Sequence, residues 1–536
     1  MKLSKTLLVS TIVLAFLFLV VSLSLADDSC TSIILGKKAS ADGSVITSHT
    51  CDSWYDASLI IIPAADHEPG EMAPVYFDKL HADYKEVKKI GEIPEVPHTY
   101  KYFWIGYPFA NEHQVIIGED TLGGHPDTRP GPDAIMWIEQ LQIFALQRAK
   151  TAREAIKVMG ELAEKYGYGD GAESLTVTDP NEAWVFEIFG VGPLWTPESG
   201  KPGAAWCAQR VPDEHFSVAP NMSRIGKVDP NDTENFLVCD NYLETAIELG
   251  IYDPASDGPF SWRNTYGYVW YRGRSKETRW PRIFWVYNKW APSAGNWTLE
   301  TAADYPFSVK PDKLISVQDV YTIFSENYVG SPIDNTEDPN YYVHTKDGWV
   351  KSPLATPQVY KELRDLLDIQ WYRPIPVWRN SYHFVSQARD WLPNEIGGVL
   401  WFGLDNPENS VIVPVWVGIN EVAPSWAIAD RTKVNRDSAW WAFGLVDDCV
   451  NHYYGVLKPM LDNMRVPLQE ELFAEQDSIE QEALKLYKDS PEDAQKFLTE
   501  YTVSTMEQVE KAYWEILDVL LYEGHNNWRS YPGSRR

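Results

Sequence analysis

Four catalytic signatures are missing from this sequence. There is no HExxH stretch and no paired CxxC, so a metal site has no recognisable ligand set and none is expected. There is no G-x-S-x-G elbow and no phosphate-cradling G-x-x-x-x-G-K-[ST] loop. Basic residues are few: 47 Lys and Arg stand against 76 Asp and Glu, a formal net charge of −29. Such a chain repels phosphate backbones, which excludes nucleic acid as a partner. Cysteine is scarce, five in 536 residues, and the number is odd, so at least one thiol is left unpaired within the chain. Cys207 and Cys239 are the pair open to a disulfide, although spacing alone does not fix connectivity. Beyond Leu25 no apolar run is long enough to span a bilayer. No internal repeat and no low-complexity tract is present. The 23 Trp and 29 Tyr are read as core and sheet-face residues rather than as a carbohydrate platform.

What is present begins with a targeting pattern. Lys2 and Lys5 form a positive start, Leu7 to Leu25 is almost wholly apolar, and Ser24-Leu25-Ala26 supplies small residues before a cut. The expectation is a signal peptide over residues 1–26, with an uncleaved anchor as the competing reading because the run nearly spans a bilayer. A secreted or periplasmic chain with no stable membrane span after cleavage follows. Removing residues 1–29 takes away two Lys and two Asp, so the charge stays at −29. The sequence leaves a homo-oligomer open.

The remaining chain alternates element types. Thr31 to Leu35 reads as a strand, Asp42-Gly43-Ser44 as a turn, and Val45 to Thr50 as the return strand. Spacing predicts a helix over Ile135 to Lys150 and a second one opened by Thr151-Ala152-Arg153-Glu154. Strands follow at Ser174–Thr178, Ala183–Phe189, Ala204–Val211 and His215–Pro220. Residues 253–310, dense in Trp, Tyr, Arg and Pro, read as an irregular packed insertion. Ser316-Val317-Gln318-Asp319 starts another helix. Late strands are expected at Ser381–Arg389, Glu395–Leu404 and Ser410–Gly418. From about Asn435 the chain is helical. Ser490-Pro491-Glu492-Asp493 caps one helix, and Met506, Val509, Tyr513, Ile516 and Leu520 form one apolar face of it. The class is α+β, with a core domain over 30–434 and a helical region over 435–536.

Cys30 carries the chemistry. It lies four residues past the expected cut and opens a strand directly. A nucleophile at a mature N-terminus has its own α-amino group, of ordinary pKa about 8, as general base, and needs no separate histidine. Such a sulfur is expected to be exposed to a cleft.

Cys30-Thr31-Ser32-Ile33-Ile34-Leu35-Gly36 followed by Asp42-Gly43-Ser44 resembles the start of the dipeptidase A family of cysteine peptidases. The resemblance continues through Ser174 to Asp179, Glu182 to Glu187, Ala208 to Glu214, Ser217 to Asn221 and Leu392 to Gly398. That family belongs to the N-terminal-nucleophile hydrolases, so the resemblance implies a four-layer αββα core with a helical C-terminal extension. It implies a small peptide substrate, no cofactor, and self-processing that removes a propeptide, here residues 27–29. It implies roles for Asp52 on the second strand and for Asn221 as oxyanion donor. His49 and Thr50 stand where relatives carry Arg and Asn, and His49 is a candidate partner of the thiolate or amine. Where the acylase branch places a second oxyanion Asn, this chain offers Glu119 or Thr121; the Glu suits a substrate's free amine, with an ordinary solvated acid as the plainer reading. Arg210 and Arg224 are candidates for a substrate carboxylate, with structural pairing as the plainer reading. Two rivals remain: an N-acyl amide hydrolase of the same superfamily, and an exported binding protein that kept the fold without activity.

Overall fold

The computed structural model describes residues 30–52, 57–77, 87–267, 275–346, 348–429 and 431–530. The signal peptide and propeptide expected over residues 1–29 lie outside the described residues. Among the described residues no helix is long and apolar enough to cross a membrane.

Thr31–Leu35 (β1) is buried along its whole length, as its Ile-Ile-Leu run predicts. Asp42 then turns the chain. Its carboxylate accepts the Ser44 N–H at 3.0 Å and the Ser44 hydroxyl at 2.6 Å, and Gly43 takes φ 89°, a conformation a Cβ disfavours. The return strand is Ile46–Asp52 (β2), pairing Thr31 with Thr50 and Ser32 with His49. Further strands follow in chain order: Ile60–Ile62 (β3), Tyr102–Trp104 (β4), Ala110–Asn111 (β5), Ile116–Leu122 (β6), Ala172–Thr178 (β7), Ala183–Gly190 (β8), Ala204–Val211 (β9), Phe216–Ala219 (β10), Phe236–Val238 (β11), Asn380–Gln387 (β12), Val399–Leu404 (β13) and Val413–Trp416 (β14). They form a six-stranded antiparallel sheet ordered β10-β1-β2-β12-β13-β14 and an eight-stranded one ordered β11-β9-β8-β7-β6-β5-β4-β3.

The two sheets meet face to face around β1, β2, β6 and β7. Thr47 of β2 and Thr176 of β7 share a hydrogen bond across the gap at 2.7 Å. Gly118 of β6 makes the close approach possible: a Cβ there would stand 2.6 Å from the Thr176 hydroxyl, 2.9 Å from that of Ser32 and 3.1 Å from the Ser48 carbonyl.

Helices cover the sheets. Ile138–Arg148 (α1) and Ala152–Tyr166 (α2) pack together, and α2 lies against β7, β8 and β9, where the Trp206 indole donates to Glu164 at 2.6 Å. Half of the expected capping box forms at α2: Thr151 accepts the Glu154 N–H, whereas the Glu154 carboxylate turns to the Lys150 N–H. Residues 253–310 depart from expectation. They contain a regular helix, Trp280–Trp290 (α3), that packs on β10. Its apolar residues Trp280, Ile283, Tyr287 and Trp290 recur at helical spacing, and Pro281 sits in the first turn, where a missing N–H costs nothing. Val317–Ser325 (α4) carries the full capping box of Ser316 and Asp319. The strand expected to start at Glu395 begins instead at Val399, because Asn394–Gly397 is a helical turn.

Ala439–His452 (α5), Tyr454–Tyr487 (α6) and Pro491–Ser530 (α7) complete the chain. The predicted α7 face of Met506, Val509, Tyr513, Ile516 and Leu520 is buried in the same core as β1. One buried ion pair locks α6 to the six-stranded sheet. Arg389 donates through both terminal nitrogens to Glu480 at 2.7 Å, and also to the carbonyls of Ile396 and Gly397 at 2.9 Å. The Trp416 indole donates to the same carboxylate at 3.2 Å. The Leu392–Gly398 motif is therefore architectural: it wraps the guanidinium that anchors the helix. Removing one partner strands the other charge in the core, so Glu480→Ala is expected to destabilise the fold by about 3–5 kcal/mol, read from denaturant unfolding.

Candidate active site

Cys30 lies at the entry to β1, between the two sheets, and its sulfur is fully buried in the 536-residue chain. This corrects the expectation of an exposed thiol. The closure is physical: Cys51 of the neighbouring strand and Glu119 of the facing sheet press on the sulfur. The thiol donates to Glu119 Oε2 at 3.4 Å. Burial above all, then Cys51 and Glu119, push the Cys30 thiol well above its ordinary range. Desolvation of this kind favours the protonated thiol over the thiolate.

His49 lies beside it. The Cys30 and Cys51 sulfurs and a His49 ring nitrogen are within 4.8 Å of one another. His49 Nδ1 accepts the Glu119 backbone N–H at 3.3 Å, so the proton of the neutral ring is on Nε2. Burial among Tyr107, Tyr382 and Phe384 lowers its pKa to about 3. A ring held neutral in this way is a poor proton store, and its Nε2 has no hydrogen-bond partner among the described residues. The three atoms are the ligand types zinc takes, but Nδ1 already spends its lone pair on a backbone N–H.

Acidic groups surround the sulfur. Glu119 also accepts the Thr121 hydroxyl at 3.1 Å and contacts Glu173. Burial raises Glu119 to about 7 and drives Glu173 and Asp120 upward in the same direction. The stabilising contribution of a carboxyl raised in the folded state is complete below its unfolded pKa, here 4.5, and is lost as pH climbs through the folded value, about 7. Wild type is thus expected to lose stability between pH 4.5 and 7. Glu119→Gln should flatten that slope by on the order of 1–3 kcal/mol, measured by urea unfolding at several pH values across the interval.

Asn221 follows β10 in the left-handed region, φ 58°, which asparagine tolerates better than most residues. Its Nδ2 donates to the Thr121 carbonyl at 2.9 Å and its Oδ1 accepts from Arg282 at 3.0 Å. Glu187 secures the next turn by accepting from the Ser223 hydroxyl and the Arg224 and Ile225 N–H groups. Arg282, on α3, is fully buried and draws the site together. It donates to the Cys30 carbonyl, to the Thr31 hydroxyl at 2.7 Å and to the Pro220 carbonyl at 2.8 Å, besides Asn221. Burial lowers its pKa to about 10, still far above neutrality, so it stays cationic.

Cys30, His49, Glu119, Thr121 and Asn221 are thus brought together. Asp52 is buried at the end of β2, paired with Arg373 and accepting from Asn380 at 2.7 Å. Arg210 is bonded to Asp213 and lies near Glu182, while Arg224 reaches Tyr287 and the Pro306 carbonyl. Those contacts are structural pairings, and neither arginine is joined to the Cys30 cluster. Cys207 and Cys239 are free thiols, with Cys239 accepting the Trp206 N–H. Arg282, Asp120, Glu173 and Cys51 were not singled out by sequence. For Arg282 the missed signal was the helical spacing hidden in the aromatic stretch.

Comparison with known proteins adds an independent line. The profile of peptidase family C69 matches residues 29–466. Dipeptidase A of Lactobacillus helveticus is 23% identical over 422 residues, covering 76% of this chain and 79% of its own length. A probable dipeptidase B of Lactococcus lactis is 24% identical over 518 residues, 94% of this chain and 97% of its own. A dipeptidase of Bifidobacterium longum is 23% identical over 444 residues, 77% of this chain and 75% of its own.

Proposed function

Because the chain belongs to peptidase family C69, and is therefore a cysteine-type peptidase of the dipeptidase family, we propose that it hydrolyses dipeptides with Cys30 as an N-terminal nucleophile. The observation that carries this reading is the position of Cys30: immediately before an interior strand, sulfur between the sheets, carbonyl held by Arg282, with the Asn221 amide tied to the same guanidinium. The two facing sheets, with α1 and α2 beyond one and α4 to α7 beyond the other, support a four-layer αββα core.

The Cys30 thiol first attacks the Ser29 carbonyl, the Ser29–Cys30 peptide bond breaks to free the Cys30 amine, and water then hydrolyses the thioester left on the sulfur. The amine so freed is a proton acceptor within the same residue as the thiol, and the ammonium it becomes stabilises the thiolate that burial disfavours. The amine then takes the thiol proton as sulfur attacks the peptide carbonyl, and returns it to the departing amino acid. Asn221 Nδ2, released from the Thr121 carbonyl, meets the oxyanion, a contact of the kind worth about 3 kcal/mol. Water hydrolyses the thioester. His49, held neutral by burial, takes no proton. Export through residues 1–26 is part of the proposal, supported by Lys2, Lys5 and the apolar run that follows.

The test is the N-terminus of active protein. Intact mass and Edman sequencing are expected to find Cys30 first. Iodoacetamide, at matched concentration and pH, is expected to modify Cys30 at least about tenfold faster in the mature chain than in a precursor held uncut. Active enzyme that begins at Asp27, or Met1, overturns the mechanism.

A further inference from the structure

Among the described residues, no basic side chain stands against Glu119 and Glu173 at the sulfur. Glu119 contacts Cys30, Thr121 and Glu173, with Asp170 close by, and none of these is basic. Glu173 is 2% exposed, and its Oε2 has no hydrogen-bond partner among the described residues. Independently, the hydroxyl of Tyr168, fully buried among Glu119, Glu139, Asp170 and Glu173, has none among them either. Asp120 differs, since Ser32 and Arg282 lie beside it. A buried cluster of this kind is held neutral by protons until a cation replaces them.

Substrate geometry identifies the cation. In a peptide with a free N-terminus, the ammonium nitrogen is about 2.5 Å from the first carbonyl carbon, by bond lengths and angle alone. A sulfur poised for attack stands about 3–3.5 Å from that carbon. The ammonium of the attacked residue therefore comes to rest within a few ångströms of Cys30 Sγ, and Glu119 Oε2 is 3.4 Å from that sulfur. We propose that Glu119, backed by Glu173 and Tyr168, binds the free α-ammonium group of the residue whose carbonyl Cys30 attacks. The inference deepens the dipeptidase reading and rests on Cys30 as nucleophile. It makes the first peptide bond the scissile one and turns away N-acylated substrates, which bring no charge to the cluster.

The test compares Ala-Ala with propionyl-alanine, the same skeleton without the amino group. Processed wild type is expected to favour Ala-Ala by about a hundredfold or more in kcat/KM, the range of a buried charge contact. Glu119→Gln and Glu173→Gln should each cut that preference by at least tenfold. Tyr168→Phe, which removes one oxygen and keeps the ring, should raise KM for Ala-Ala severalfold more than it raises KM for propionyl-alanine. Wild type that cleaves both compounds equally overturns the ammonium site while peptide hydrolysis stands. Wild type that cleaves no dipeptide at all sinks the hydrolytic reading, and this inference with it. Glutamine variants that lose the same factor on both compounds place Glu119 on the enzyme's own amine and overturn the proposal. Should the variants not fold, the wild-type ratio alone decides between these outcomes.

Discussion

Cys30→Ala is expected to abolish dipeptide hydrolysis, lowering kcat by on the order of 10⁴-fold or more, while the protein keeps its fold. The side chain lost is one sulfur in a closed environment, so the change in packing is small beside the change in chemistry. Without a nucleophile the Ser29–Cys30 bond also stays intact, and the variant should accumulate as the uncut chain. Two readouts are needed: steady-state hydrolysis of a dipeptide panel, and intact mass. A Cys30→Ala protein that still cuts itself and turns over dipeptides at the wild-type rate would place the active centre elsewhere. Cys51→Ser is the useful comparison, because it alters the adjacent thiol and leaves the N-terminal residue alone.

The second large effect is expected at Arg282. Its guanidinium holds the Cys30 carbonyl, the Thr31 hydroxyl, the Pro220 carbonyl and the Asn221 side chain at once. Arg282→Met keeps much of the volume and removes every donor. Several buried acceptors then lose their partner, and Asp120 loses its neighbouring positive charge. The expected cost is about 3–5 kcal/mol in unfolding free energy. The expected loss in kcat is about a hundredfold or more, because a nucleophile displaced by an ångström reacts far more slowly. Arg282→Lys should recover part of the stability and little of the rate, since an ammonium cannot span four acceptors in one plane. A variant with wild-type kcat and reduced stability would confine Arg282 to a structural role.

Much of the architecture was legible in the sequence because local rules governed it. β1 needed only its apolar run, the Asp42 turn its Asp-Gly-Ser, α4 its capping box, and α7 its repeating apolar face. The elements that escaped were those where a local signal was masked or outvoted. The Trp280–Trp290 helix sits in a stretch whose Trp, Tyr and Pro content reads as irregular. The Asn394–Gly397 turn looks like the start of a buried strand, yet its carbonyls are needed by Arg389. The site divides in the same way. Cys30 and Asn221 are visible from position and motif. Glu119 is visible only through the family resemblance, and Glu173 and Asp120 are not visible at all, because nothing in their spacing along the chain says that β6 and β7 bring them to the start of β1. Burial of the thiol was missed for a related reason: it is imposed by a facing sheet, not by neighbours in sequence.

Arg282 reaches back 252 residues to grip the backbone of Cys30. A ribosome finishes the first strand long before it makes that arginine. Nascent or truncated chains ending ahead of α3 hold the sulfur without the clamp that aligns it. On the proposed mechanism, competence for dipeptide hydrolysis therefore arrives late in synthesis.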